Sequence, residues 1–560
     1  MSKTNRLSRT AVFFISTIVF LGINFGTSAQ DTKRDRVILK PTPTPKTSPT
    51  PKISPTPTPK PTATPTPQTA QTLESLQSKI RLALSRPELR RGTVAIKIAS
   101  LNSGKVIFED SAEKYVMPAS NMKSFTVATA LEKLTPNFRF VTSVLANSKP
   151  DETGTVKGDL TIFGRGDISL STAFYEGDYF KGLDALADKI VQSGVKKIEG
   201  NLVGDESYFS GSAIPSGWEW DDLQWYYGAE VSALPLNDNA LDLTVKPASS
   251  AGSLCLVQLQ PLNTVYRVVN NCRTVAVNAK RTLTVKKDLD QNLLEVYGNL
   301  PVGDKGFANY LTVSHPSELF ISLLKQRLQQ KGVIVTGQTR VIGAKEKSLM
   351  TVTTTAAPVE ITKLESFPFS LIAAKTMKPS QNLYTETILW TLGEQAKNLN
   401  LPNLPANNPL TNAEATSADK GLFVVQNFLQ QIGVPDGGII QYDGSGLSRH
   451  NLVTADALVR LYTYMAKQSR FSQAWRDSLT IGGVDGTLKN RFTGTVAAGN
   501  VRGKTGTIDQ VSALSGYVTT AAGEQIVFSI IVNGVTNTRT RTGTMDEIVL
   551  NLASFNGKID

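Results

Sequence analysis

Two histidines and two cysteines in 560 residues leave this chain short of the side chains on which much hydrolytic chemistry is built. His315 and His450 stand far from each other and from both cysteines, with no zinc-site spacing, so metal hydrolysis is disfavoured and no metal or cofactor is expected. A Ser-His-Asp triad drawn through His450 lacks a Gly-x-Ser-x-Gly elbow. Its nearest imitation, Asp443-Gly444-Ser445-Gly446, has the wrong frame. The N-terminal apolar run, residues 11–25, is short for a membrane span.

What that run does resemble is an export signal. Lys3, Arg6 and Arg9 precede it and Thr27-Ser28-Ala29 offers a small-residue cleavage site, so residues 1–29 read as a signal peptide directing the chain to the periplasm or cell wall. An uncleaved anchor is the alternative, and membrane contact is expected through this segment alone. Residues 30–71 are Pro, Thr, Ser and Lys with almost nothing to bury; they read as an extended tether reaching about 130 Å. The first 71 residues hold ten Lys or Arg against Asp31 and Asp35, a net of +8 out of the +12 for the whole chain. The basic balance therefore belongs to signal and tether and marks no nucleic-acid-binding face.

Three short motifs carry the chemistry: Ser120-Asn121-Met122-Lys123, Ser380-Gln381-Asn382 and Lys504-Thr505-Gly506. Ser-x-x-Lys alone is weak, since it recurs at residues 111–114, 193–196, 322–325 and 417–420. Ser120 differs in its setting, with Pro118 before it and Phe125, Val127, Ala128, Ala130, Leu131 and Leu134 after it, which predicts a buried helix starting near the serine and ending before Pro136. At a spacing of three, Lys123 shares a helix face with Ser120. Burial lowers an amine's pKa, so a neutral Lys123 could take the serine proton. Lys504 is expected on a strand beside an antiparallel hairpin, residues 513–519 and 525–532, turning at residues 521–524. There Lys504 and Thr505 could hold a carboxylate, and the Thr507 N–H could join that of Ser120 as an oxyanion hole. Ser380 and Asn382 fall at a loop-to-helix junction, where a plain N-cap serine is the rival reading of Ser380.

These motifs belong together in penicillin-binding proteins and class A β-lactamases. The chain resembles, more narrowly, the D-alanyl-D-alanine carboxypeptidase/endopeptidase family of low-molecular-mass penicillin-binding proteins that carry a large insertion after the nucleophile helix. The likeness runs from about Leu73 to the C-terminus through residues 117–123, 158–160 with 164–167, 204–209, 217–223 and 443–449, and Gln381 departs from the usual Asp. It implies a serine acyl-enzyme on Ser120, Lys123 as base, Ser380 as proton relay and Asn382 on the peptide amide. It also implies peptidoglycan stem peptides as substrates and β-lactams as inhibitors. By the same likeness Asp222 would attract the amine of a diaminopimelate-type residue and Arg449 its carboxylate, with Asp221 the alternative acid. A secreted β-lactamase or esterase and a catalytically silent wall-binding scaffold are the competing functions.

The expected fold is α/β (α+β): a β-lactamase/transpeptidase-like sandwich of helices and antiparallel sheet, discontinuous, with a mostly β insertion. The separation of 260 positions from Ser120 to Ser380 motivates the division into residues 72–141 and 361–560 as catalytic parts and 142–360 as inserted domains. Period-two runs at residues 158–163, 197–203, 240–246, 283–287 and 333–341, with a helix over 318–331, fill the insertion. Helices are expected at residues 73–84, 371–374, 383–397, 419–432, 454–467 and 545–555, and a hairpin over 93–108. Cys255 and Cys272, both in the insertion, are expected to form a disulfide in an exported protein.

Overall fold

A computed structural model describes residues 70–349 and 357–559. The signal and most of the tether, residues 1–69, lie outside the described residues. A six-stranded antiparallel sheet organises the catalytic half, in the order Thr480–Ile481, Arg502–Ile508, Val511–Thr519, Gln525–Asn533, Thr93–Ser100, Val106–Asp110. Alternation along its central strands fills both faces. Ile526, Phe528, Ile530 and Val532, with Ile96 and Ile98, pack against helices Leu73–Leu84 and Thr538–Ala553. Val527 and Ile531, with Ala95 and Ala99, face the opposite core, which surrounds helix Lys123–Lys133. A sheet buried on both sides has to alternate between two apolar sets, which produces the sandwich.

Lys123–Lys133 is buried through Leu131, as its apolar circumference requires, and helices Asn382–Gln395, Ser417–Gln431 and Ala455–Lys467 share its core. Its polar residues are bonded: the Thr126 hydroxyl donates to the Gly444 carbonyl at 3.0 Å, and that of Thr129 to the Phe125 carbonyl at 2.8 Å. The second helix, Asn382–Gln395, is buried from Asn382 to Gly393, so any charge on this stretch must find a partner inside.

Between the two halves, Val141–Ala146 leads away and Val359–Glu365 returns beside it, paired antiparallel with Val141 opposite Glu365. They form one edge of a five-stranded sheet in the order Thr339–Ile342, Leu202–Asp205, Leu160–Phe163, Val141–Ala146, Val359–Glu365. This sheet, three smaller ones and helices Lys181–Gln192 and Pro316–Gln330 enclose a separate core. Cys255 and Cys272 are disulfide-bonded there.

Two expected strands are each broken in two. Residues 197–203 become Lys197–Glu199 and Leu202–Asp205, and residues 333–341 become Ile334–Val335 and Thr339–Ile342. Gly200 and Gly337 cause both breaks, because the Gly337 N–H donates to the Gly200 carbonyl at 2.9 Å, and a Cβ on Gly337 would sit 2.4 Å from that oxygen. Each strand thereby passes from one small sheet to the next. The last helix also starts earlier than residue 545, at Thr538. Asn537 caps it by accepting the Thr540 N–H at 3.0 Å, and its Thr- and Arg-rich first turns carry little apolar periodicity. Among the described residues, no helix is long and apolar enough to cross a membrane.

Candidate active site

Ser120 sits on a 3₁₀ turn, Ala119–Met122, that runs straight into Lys123–Lys133. Ala119 is held at φ +47°, a left-handed conformation costing about 1–2 kcal/mol for a residue with a Cβ. Two close approaches hold this turn. A Cβ on Gly506 would lie 2.5 Å from the Pro118 carbonyl oxygen and 3.1 Å from the Ser120 nitrogen, and one on Gly446 would lie 1.9 Å from the Ala119 carbonyl oxygen. Only glycine lets the Lys504 strand and the 443–446 turn close on the serine from both sides.

Lys123 is fully buried. Its Nζ lies 3.0 Å from Ser120 Oγ and donates to Asn382 Oδ1 at 2.6 Å and to the Ser445 carbonyl at 2.7 Å. Asn382 opens its buried helix and also donates from Nδ2 to the Tyr227 carbonyl at 2.8 Å, which brings the insertion to the site. Ser380 is not the N-cap of that helix; Gln381 is, accepting the Leu383 N–H on its side chain at 3.2 Å. Ser380 instead adopts φ +65° and receives the Lys504 ammonium at 2.8 Å. Lys504, also fully buried, donates to the Thr505 carbonyl at 2.7 Å, while the Thr505 hydroxyl donates to Thr487 Oγ1 at 2.6 Å. Thr507 follows on the same strand, its hydroxyl donating to the Gly506 carbonyl at 2.8 Å.

Three further residues are expected at the site: Asp222, its alternative Asp221, and Arg449. Asp222 is half-buried, and burial, then the neighbouring Asp221 and Glu219 charges, push its carboxyl up to about 6 against the Tyr227 hydroxyl and Arg449. Asp221, the alternative acid, is exposed. Arg449 donates to Glu219 Oε2 at 3.0 Å and to the Asp509 carbonyl at 3.1 Å.

Two carboxylates not foreseen as site residues complete the surroundings. Glu386, one turn after Asn382 and wholly buried, accepts the Gly444 and Ser445 N–H groups at 2.9 and 2.7 Å. Burial and the adjacent Asp443 push its carboxyl up to about 8. Asp443 accepts from the Gly446 and Ser448 N–H groups, both at 2.7 Å, and from Trp218 Nε1 and Asn451 Nδ2, both at 2.8 Å. The sequence signal for Glu386 is that it is the one charged residue in the otherwise uncharged stretch 382–393.

The chain is similar to known proteins in sequence and in fold. The D-alanyl-D-alanine carboxypeptidase of Actinomadura sp. is 32% identical over 500 residues, covering 87% of this chain and 86% of the relative. The D-alanyl-D-alanine carboxypeptidase DacB of Haemophilus influenzae is 26% identical, over 78% of this chain and 84% of its own. The crystal structure of penicillin-binding protein 4 (dacB) from Haemophilus influenzae superposes with a TM-score of 0.69 at 24% identity, covering 86% of this chain and 98% of the other. Its complex with a novel β-lactam gives a TM-score of 0.65 at 22% identity, over 85% and 98%. Residues 76–554 match the D-Ala-D-Ala carboxypeptidase 3 (S13) family, and the chain belongs to that family.

Proposed function

We propose that Ser120 is the nucleophile of a serine D-alanyl-D-alanine carboxypeptidase and that Lys123 is its base. The observation that carries this is the geometry at Lys123, whose buried Nζ lies within bonding distance of Ser120 Oγ, Asn382 Oδ1 and the Ser445 carbonyl. Asn382 Oδ1 and the Ser445 carbonyl can only accept, so a neutral amine gives its two N–H groups to them and keeps its lone pair for Ser120 Oγ, 3.0 Å away. Such a base is oriented before substrate arrives.

Acylation then runs in two transfers. Ser120 Oγ attacks the carbonyl carbon of the penultimate D-Ala as its proton passes to Lys123. The oxyanion is stabilised by the N–H groups of Ser120 and Thr507. Collapse breaks the peptide bond, and the proton taken by Lys123 reaches the departing D-Ala amine by way of Ser380, which gives up its own proton as it takes that one, leaving Lys123 neutral again. Water attacks the ester in the second step and frees Ser120. Lys504 and Thr505 hold the terminal carboxylate, and the second N–H of Asn382 Nδ2 holds the peptide carbonyl. A β-lactam offers the same carboxylate and acyl carbon, with a leaving group tethered to the acyl part, so it acylates Ser120 and stalls there.

Asp222 is proposed as the acid that attracts an amine on the stem peptide, with Arg449 beside it for a carboxylate. Supporting this, the Tyr227 hydroxyl bonds Asp222 while the carbonyl of the same residue accepts from Asn382, so one residue joins the acid to the catalytic cluster. The substrate is then a peptidoglycan stem peptide outside the cytoplasm, a compartment that the Cys255–Cys272 disulfide favours. The test is D-Ala release from a stem peptide ending in D-Ala-D-Ala. Wild type should release it and Ser120→Ala should not; equal release by both removes Ser120 from the mechanism.

A further inference from the structure

Lys123 owes its orientation to a carbonyl that does not hold itself in place. The Ser445 carbonyl lies in the turn Asp443-Gly444-Ser445-Gly446, whose two successive N–H groups, of Gly444 and Ser445, point into the helix that begins at Asn382. Both are received by one side chain, Glu386, with Oε2 taking Gly444 and Oε1 taking Ser445. From the opposite side the Thr126 hydroxyl donates to the Gly444 carbonyl at 3.0 Å, and Thr126 lies on the helix that bears Lys123. Asp443 ties the turn to its own chain and to Trp218. Both oxygens that accept from Lys123 therefore trace back to one helix: Asn382 directly, and Ser445 through Glu386, one turn later.

We propose that Glu386 is a positioning residue for the acylation step, setting the Ser445 carbonyl that turns the Lys123 lone pair toward Ser120. A buried carboxyl costs several kcal/mol unless it is paired or hydrogen-bonded, and an apolar residue would fill the same helix position without that penalty. What an apolar residue lacks is a two-oxygen acceptor matched to two adjacent N–H groups. Its alignment with Lys123 gives that cost a role, because the turn that Glu386 fixes also packs Gly446 against the Ala119 carbonyl, immediately before the nucleophile. Glutamine at this position keeps the shape but sets an amide donor against a backbone donor.

The inference rests on the assignment of Ser120 and Lys123 above. The test is the concentration dependence of penicillin acylation, followed by intact mass, which separates the maximal acylation rate from the half-saturating concentration. Glu386→Gln should lower the maximal rate roughly tenfold to a hundredfold while half-saturation moves by no more than about threefold, because misplacing a reacting group affects the chemical step and leaves the carboxylate contacts intact. Thr126→Val loosens the same turn without touching the buried carboxyl and should lower the maximal rate in the same direction, by roughly threefold or more. A wild-type maximal rate in the folded Glu386→Gln protein overturns the inference. Should that variant not fold, Thr126→Val decides alone, and an unchanged maximal rate there overturns it. Acylation of Ser120→Ala would instead refute the underlying assignment, so the two failures are distinguishable.

Discussion

Gly506→Ala probes the spacing between the Lys504 strand and the nucleophile turn. The added methyl would begin 2.5 Å from the Pro118 carbonyl oxygen, 3.1 Å from the Ser120 nitrogen and 3.2 Å from the Ala119 Cβ. An ordinary carbon–oxygen contact is about 3.3 Å, so strand and turn must part by about 0.8 Å. The backbone has no flexible side chain there to absorb the shift. That opening separates the Ser120 and Thr507 N–H groups and carries Lys504 away from Ser380. A misplacement near 1 Å costs about a hundredfold in rate, or about 2.7 kcal/mol of barrier. Stopped-flow or mass-resolved penicillin acylation of Gly506→Ala, beside its thermal denaturation, provides the measurement. Acylation within about threefold of wild type in a folded variant would refute the reasoning, since no electrostatic arrangement in the site should tolerate that displacement.

Asp222, with its carboxyl pushed up to about 6, is neutral below that pH and charged above it. The preference in kcat/KM for an amine-bearing stem over one lacking the amine should therefore rise by roughly two- to fivefold between about pH 5 and 7.5, the range of a partly exposed ion pair. Asp222→Asn should flatten that ratio, and a flat ratio in wild type would remove the assignment. Replacing Cys255 and Cys272 together by Ala opens a loop with a sequence separation of 17. Chain entropy for a loop of that size is about 3 kcal/mol, so Tm should fall; penicillin acylation should hold its rate because both cysteines belong to the core without the nucleophile helix. A Tm unchanged on reduction would contradict the first part, and slowed acylation the second.

The motifs could be read from sequence because each demands residue types at fixed separations: Lys123 must follow Ser120 by one turn, and glycine must follow Lys504-Thr505 for the strand to reach the serine. The helix at residues 73–84 and the strand at residues 240–246 were legible from periodicity, since each packs against one layer. Glu386 was not, because an acid in a helix is usually solvated, and only the absence of any other charge over residues 382–393 marks it as buried. Asp443-Gly444-Ser445-Gly446 imitates a nucleophile elbow in the wrong frame, whereas its contribution is a carbonyl that no side-chain pattern encodes. The breaks at Gly200 and Gly337 depend on two backbones meeting across 137 residues of chain, a separation beyond any local window.

Mass mapping of the penicillin adduct tests the Ser120 assignment most directly. Wild-type protein exposed to penicillin should gain the mass of one intact penicillin and keep it, on the peptide that contains Ser120, while Ser120→Ala should gain none. An adduct on any other residue, or none on the wild type, would contradict the assignment of Ser120, and an adduct lost as fast as it forms would mark a β-lactamase instead.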